Sequence, residues 1–215
     1  MKTNSYITKS LAPLAAVCAL FSAAASHAAV FYVTIDTSAL LVPPANTFAP
    51  FYLDFQFNDG GILNNNTASL TVYDFGGGSA TGSAVTFGDA TGDIATGVQF
   101  DNSQAFQELY QGFTPGTSLT FVLFMTTAMD VPAPDAFFVS ILDSSLQNIT
   151  TDGFGNSLVN ISLDAPTPTE TYSLGNGDFA GVAATAVPEP TSLGVIMTLG
   201  VAGLAALRRK RLNVA

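Results

Sequence analysis

Between residues 30 and 174 the chain repeatedly alternates apolar and polar positions, the period of two that marks a half-buried strand. In APFYLDFQFND, Phe51, Leu53, Phe55 and Phe57 share one face and Tyr52, Asp54, Gln56 and Asn58 the other, before a turn at Asp59-Gly60-Gly61. ASLTVYDF sets Leu70 and Val72 against Thr71 and Tyr73 and runs into Gly76-Gly77-Gly78. TSLTFVLFMTT carries Leu119, Phe121, Leu123 and Met125 on one side and Val122 and Phe124 on the other, so a central place in a sheet is expected for it. AFFVSILD and SLVNISLD repeat the alternation at Phe137, Val139 and Ile141 and at Val159, Ile161 and Leu163. Shorter strands are expected at 30–36, 84–88, 98–101 and 170–174. Residues 103–111 fit two descriptions. Phe106, Leu109 and Tyr110 have helical spacing behind a possible Ser103 cap, and a further strand fits equally well.

Eight to ten short strands with Gly, Asn and Asp turns predict an all-β domain over residues 29–175, a β-sandwich of jelly-roll type. Sixteen Phe residues lie between Phe31 and Phe179. Each one buried contributes roughly 2–3 kcal/mol relative to exposure, enough for a core without disulfides. The mixture of Pro, Thr, Gly and Ala after residue 175 predicts a linker over 176–187.

The two ends follow other patterns. Lys2 and Lys9 precede an apolar run from Leu11 to Ala25, which closes on Ser26-His27-Ala28. That order predicts a signal peptide over residues 1–28, cut between Ala28 and Ala29, which removes Cys18 and His27. At the other end, Thr191 to Leu207 carries no charge. As a helix this run is about 25 Å long, a little under a hydrocarbon core of about 30 Å, and flanking cations can snorkel across the difference. Pro188 and Pro190 stop the helix upstream, and Arg208, Arg209, Lys210 and Arg211 hold its far end at the cytoplasmic face. Both ends therefore predict one orientation, with the domain outside the inner membrane and the tail inside.

Pro188-Glu189-Pro190, an apolar helix over about 191–207 and a terminal Arg cluster together resemble the PEP-CTERM sorting signal of Gram-negative bacteria, here over residues 188–212. The resemblance implies that an exosortase, a membrane cysteine protease, recognises Pro188, Glu189 and Pro190, cuts nearby and releases the domain to the cell surface or medium. It also implies an association with exopolysaccharide and extracellular matrix. FYVTIDTSAL and FYLDFQFNDG look like stretches of small PEP-CTERM proteins with no assigned activity.

Charge narrows the chemistry. All 16 acidic residues lie between Asp36 and Glu189, and from Ala29 to Leu207 there is no Lys, Arg, His, Cys or Trp. Such a segment has no side chain to neutralise phosphates, so no nucleic-acid partner is expected. It also lacks a thiol nucleophile and an imidazole base. The expectation is a surface or matrix component that acts by binding, with extracellular polysaccharide as the partner and no catalytic residues or obligatory cofactor. Tyr32, Tyr52, Tyr73, Tyr110 and Tyr172 offer rings for stacking on sugars, or are ordinary strand tyrosines. Calcium is the one cofactor in view, through Asp89 and Asp93 in GDATGD and Asp152 and Asn156 in TDGFGN. The same residues also serve as plain turn formers. If the domain were an enzyme, a two-carboxylate glycosidase is the feasible chemistry, with Glu108 and Asp101 as nominees.

Overall fold

The computed structural model describes residues 28–61, 66–126, 133–149, 157–163 and 168–186, which form two antiparallel six-stranded sheets. The first sheet holds, in spatial order, β12 (Ala183–Ala186), β1 (Ala28–Asp36), β8 (Ser118–Thr126), β3 (Ala68–Asp74), β6 (Gly97–Phe100) and β5 (Thr91–Asp93). The second holds β11 (Thr169–Tyr172), β10 (Val159–Ser162), β9 (Ala136–Leu142), β2 (Phe51–Asn58), β7 (Phe106–Thr114) and β4 (Ser79–Phe87). Short 3-10 turns occur at Ser38–Leu41, Ala45–Phe48 and Gly177–Phe179. Only β5–β6, β9–β10 and β10–β11 are successive strands within one sheet. Every other connection crosses between sheets, so the chain wraps a common core as a β-sandwich.

That core is built from the alternate residues of each strand. Phe55, Phe57 and Phe137 from the second sheet meet Phe100 and Phe121 from the first, all fully buried. Phe55 and Phe121 meet edge to face at 5.8 Å, and Phe100 and Phe137 at 5.6 Å. These offsets suit the ring quadrupole and add to the burial energy. Apolar packing carries the domain, because residues 29–186 contain no cation with which any of their acids could pair.

Polar ties fix the connections. Asp135 is fully buried at the start of β9. Its Oδ1 accepts from the Gly60 amide at 2.7 Å, and its Oδ2 from Asn66 Nδ2 at 2.8 Å and Asn102 Nδ2 at 3.0 Å. One carboxylate thus gathers the segments that follow β2, precede β3 and follow β6. At the other end, Gly76 adopts φ +58°, and a Cβ there would stand 2.5 Å from the Ser118 backbone. Glycine is required for this close approach of the β3–β4 turn to β8.

The structure settles one open alternative and corrects one expectation. Of the two descriptions of residues 103–111 the strand holds, and β7 over residues 106–114 pairs with both β2 and β4. Its inward positions are Gln107, Leu109, Gln111 and Phe113, all buried, and the two glutamines interrupt the apolar period. Gln111 works inside the fold, accepting from the Ile94 amide at 2.9 Å and donating to the Gly82 carbonyl at 3.0 Å. The correction concerns 176–186, expected to lie in a linker. Phe179, Val182 and Ala184 are buried, and β12 pairs with β1 from Val33↔Ala186 to Asp36↔Ala183. The domain therefore continues to residue 186. Alanines too small to show an apolar alternation concealed this strand.

Candidate functional site

On the solvent side of the second sheet, two carboxyl groups meet. Asp54 on β2 lies opposite Tyr110 on β7 and Ser140 on β9, while Gln56 lies opposite Glu108 and Phe138. Opposed residues share a face in antiparallel strands, and their diagonal neighbours are within reach of long side chains. Gln56 Nε2 donates to Asp54 Oδ2 at 2.9 Å and to Glu108 Oε1 at 3.2 Å. Asp54 is only 1% exposed although it lies on an outer face, and no N–H or hydroxyl donor reaches its Oδ1. Burial, and then the negative charge of Glu108, raise the Asp54 carboxyl from 3.8 to about 7. Near neutral pH Asp54 therefore still holds its proton in a large share of molecules, beside the charge of Glu108.

Aromatic side chains frame this pair. Tyr52 and Tyr110 meet edge to face at 6.1 Å, and Phe87 on β4 stacks on Tyr110 at 6.4 Å. Phe87 and Phe106 are nearly half exposed. Together they make a surface of rings around a buried hydrogen-bonding centre. With one proton on the pair, that centre offers both donors and acceptors; with none, the carboxylates offer acceptors only, leaving Gln56 as its donor.

The sequence nominees fall in different places. Glu108 belongs to this centre, whereas Asp101 lies at the end of β6 on the other sheet, exposed and accepting from the Ser103 amide at 3.2 Å. The structure thus pairs Glu108 with Asp54 rather than with Asp101. Tyr52 and Tyr110 are at the centre, and Tyr32 and Tyr73 face outward from the first sheet. Tyr172 donates its hydroxyl to Glu170 Oε2 at 2.5 Å, and burial together with that acidic neighbour pushes its pKa above the usual phenol value, keeping it un-ionised. Asp54 went unremarked as a site residue because β2 alone marks it only as outward-facing. Its contact with Glu108 appears only in the register between β2 and β7.

Asp93 closes the β5–β6 turn. Its Oδ1 accepts from the Ala95 and Thr96 amides, and its Oδ2 from the Thr96 hydroxyl at 2.8 Å. These bonds stabilise the charged carboxylate and hold its pKa below the usual value. Asp89 lies in the turn before β5. Among the described residues no three His, Cys, Asp or Glu side chains gather as a metal centre. Asp152 and Asn156 lie outside the described residues, as do Pro188, Glu189, Pro190, Arg208, Arg209, Lys210 and Arg211. Ala28 opens β1, so a cut between Ala28 and Ala29 shortens that strand by one residue. Among the described residues no helix is long and apolar enough to cross a membrane.

Comparison with curated proteins and with solved structures gave no match. Residues 186–211 match the family model described as the PEP-CTERM protein-sorting motif, beginning at the last residue of β12. The protein therefore carries, immediately after its folded domain, the signal of an exported chain with a C-terminal membrane anchor that an exosortase processes.

Proposed function

We propose that the exported sandwich is a surface or matrix component that binds extracellular polysaccharide, without cleaving it, through the outer face of its second sheet. The observation that carries this reading is the hydrogen-bonded Asp54–Gln56–Glu108 centre, enclosed by Tyr52, Tyr110 and Phe87. Sugars present apolar C–H faces and a rim of hydroxyls, which rings and a mixed donor–acceptor centre complement. Hydrolysis needs a different spacing. A retaining glycosidase separates its carboxyl groups by about 5 Å to admit the anomeric carbon, and an inverting one by more. Asp54 and Glu108 are instead tied to one amide, Gln56 Nε2, which occupies the place between them where a glycosidase admits its substrate.

The test uses the protein as cells release it, with intact mass recording which ends have been removed. Retention on the producing cell's own matrix polysaccharide is expected, reduced about ten-fold or more by Tyr52→Ala or Tyr110→Ala at unchanged melting temperature. Equal retention of these variants would rule out this face. Release of reducing ends, abolished by Glu108→Gln, would replace binding with hydrolysis. Calorimetric titration with Ca²⁺ addresses the remaining cofactor, and heat lost on Asp89→Asn would make the binding module calcium-dependent.

A further inference from the structure

The opposite face of the sandwich holds a groove of about 310 Å³, lined by Ser69, Thr71, Thr91, Thr96, Gln99 and Phe124. It runs across four strands. Phe124 on β8 lies opposite Ser69 on β3, Ser69 opposite Gln99 on β6, and Gln99 opposite Thr91 on β5. Phe124 is 50% exposed, an unusual place for a phenylalanine in the middle of a sheet. The groove also exposes backbone at Gly97, whose φ is +126°. A Cβ built there would stand 3.6 Å from both the Leu70 carbonyl oxygen and Thr71 Oγ1, so a side chain would occupy the groove.

The lining selects a ligand class. None of the side chains lining it is charged, so a charged ligand would surrender hydration without gaining a counter-charge. An apolar ligand would cover four hydroxyls and an amide and leave them unpaired, losing their hydration with nothing in return. Thr96 Oγ1 already donates to Asp93 and keeps its lone pairs for an incoming donor. Ring and hydroxyls together match a compact neutral molecule with one C–H face and several hydroxyls. The volume lies at the lower end for small-ligand sites.

We propose that this groove is a second glycan site, which takes a neutral pyranose unit stacked on Phe124. It is independent of the carboxyl centre on the far sheet, so one molecule with both sites engaged joins two glycan strands.

The experiment is an array of neutral, amino and uronic-acid oligosaccharides, probed with the released protein and with Phe124→Ala, Thr71→Val and Tyr52→Ala variants matched in melting temperature. The expected result is a set of neutral glycans that Phe124→Ala and Thr71→Val bind at least ten-fold more weakly and Tyr52→Ala binds unchanged, with no change between pH 5 and pH 8. No neutral glycan bound, or neutral binding undiminished in Phe124→Ala, overturns the groove as a sugar site. Neutral binding lost only in Tyr52→Ala also overturns it and assigns the signal to the carboxyl face. Uronic acids bound as tightly as neutral sugars and lost with Phe124→Ala overturn the neutral selectivity.

Discussion

The outer faces of the two sheets use the same backbone geometry to present opposite chemistry. On the second sheet, Asp54 and Glu108 press two acids together beneath tyrosines, so the face gains and loses a proton near neutrality. On the first, Ser69, Thr71, Gln99 and Phe124 line a groove that contains nothing to titrate. Shared architecture therefore does not imply shared response. A change of pH should reach one face and pass the other by.

The largest effect is expected where both faces depend on one core. Phe137 contacts Phe55 and Phe57 within its own sheet and Phe100 across the sandwich. Phe137→Ala should destabilise the domain by about 3–5 kcal/mol in urea titration, with both faces lost in one transition. A face that melts separately would divide the sandwich into independent units. Next is a chain ending at residue 175, which lacks the burial of Phe179, Val182 and Ala184. It should lose about 3 kcal/mol relative to a chain ending at 186, and equal stability of the two would return 176–186 to the status of linker.

Asp54→Asn separates the faces by pH. The wild-type Asp54 carboxyl rises from 3.8 to about 7 on folding. Below 3.8 both folded and unfolded chains hold its proton, and its stabilising contribution is complete. Between 3.8 and about 7 only the folded chain holds it, so stability falls as pH rises through that window and levels off above it. Asp54→Asn should remove this slope and raise stability at pH 8 by about 2–4 kcal/mol, with little change at pH 4. Thermal melts across that range check this, and an unchanged slope would move the proton elsewhere. The smallest effect belongs to the groove. Phe124→Ala should alter stability by less than about 0.5 kcal/mol, because the ring projects into solvent. A large loss would make Phe124 a packing residue.

The strands legible in the sequence are those whose inward positions are uniformly apolar, such as Phe51, Leu53, Phe55 and Phe57 in β2. β7 was ambiguous because Gln107 and Gln111 face inward and bind backbone or neighbouring groups there. β12 was missed because alanines carry little pattern, and β5 because it is three residues long. Val122 and Phe124 show how one correct inference can rest on a wrong cause. β8 does occupy an interior position, between β1 and β3, yet its second apolar face points outward and leaves Phe124 half exposed. The carboxyl centre required strand register as well, since Asp54 and Glu108 are far apart in sequence and meet diagonally across β2 and β7. By contrast, the sorting signal is contiguous, so it was readable over residues 188–212 without any fold, and the family model matches 186–211.

The lack of basic side chains also governs how this domain wears outside the cell. Trypsin-like enzymes select a cationic residue at the bond they cut, and none occurs between Ala29 and Leu207. Opening the sandwich gives them nothing to grip, so resistance to that class of enzyme is written into composition and outlasts the fold itself.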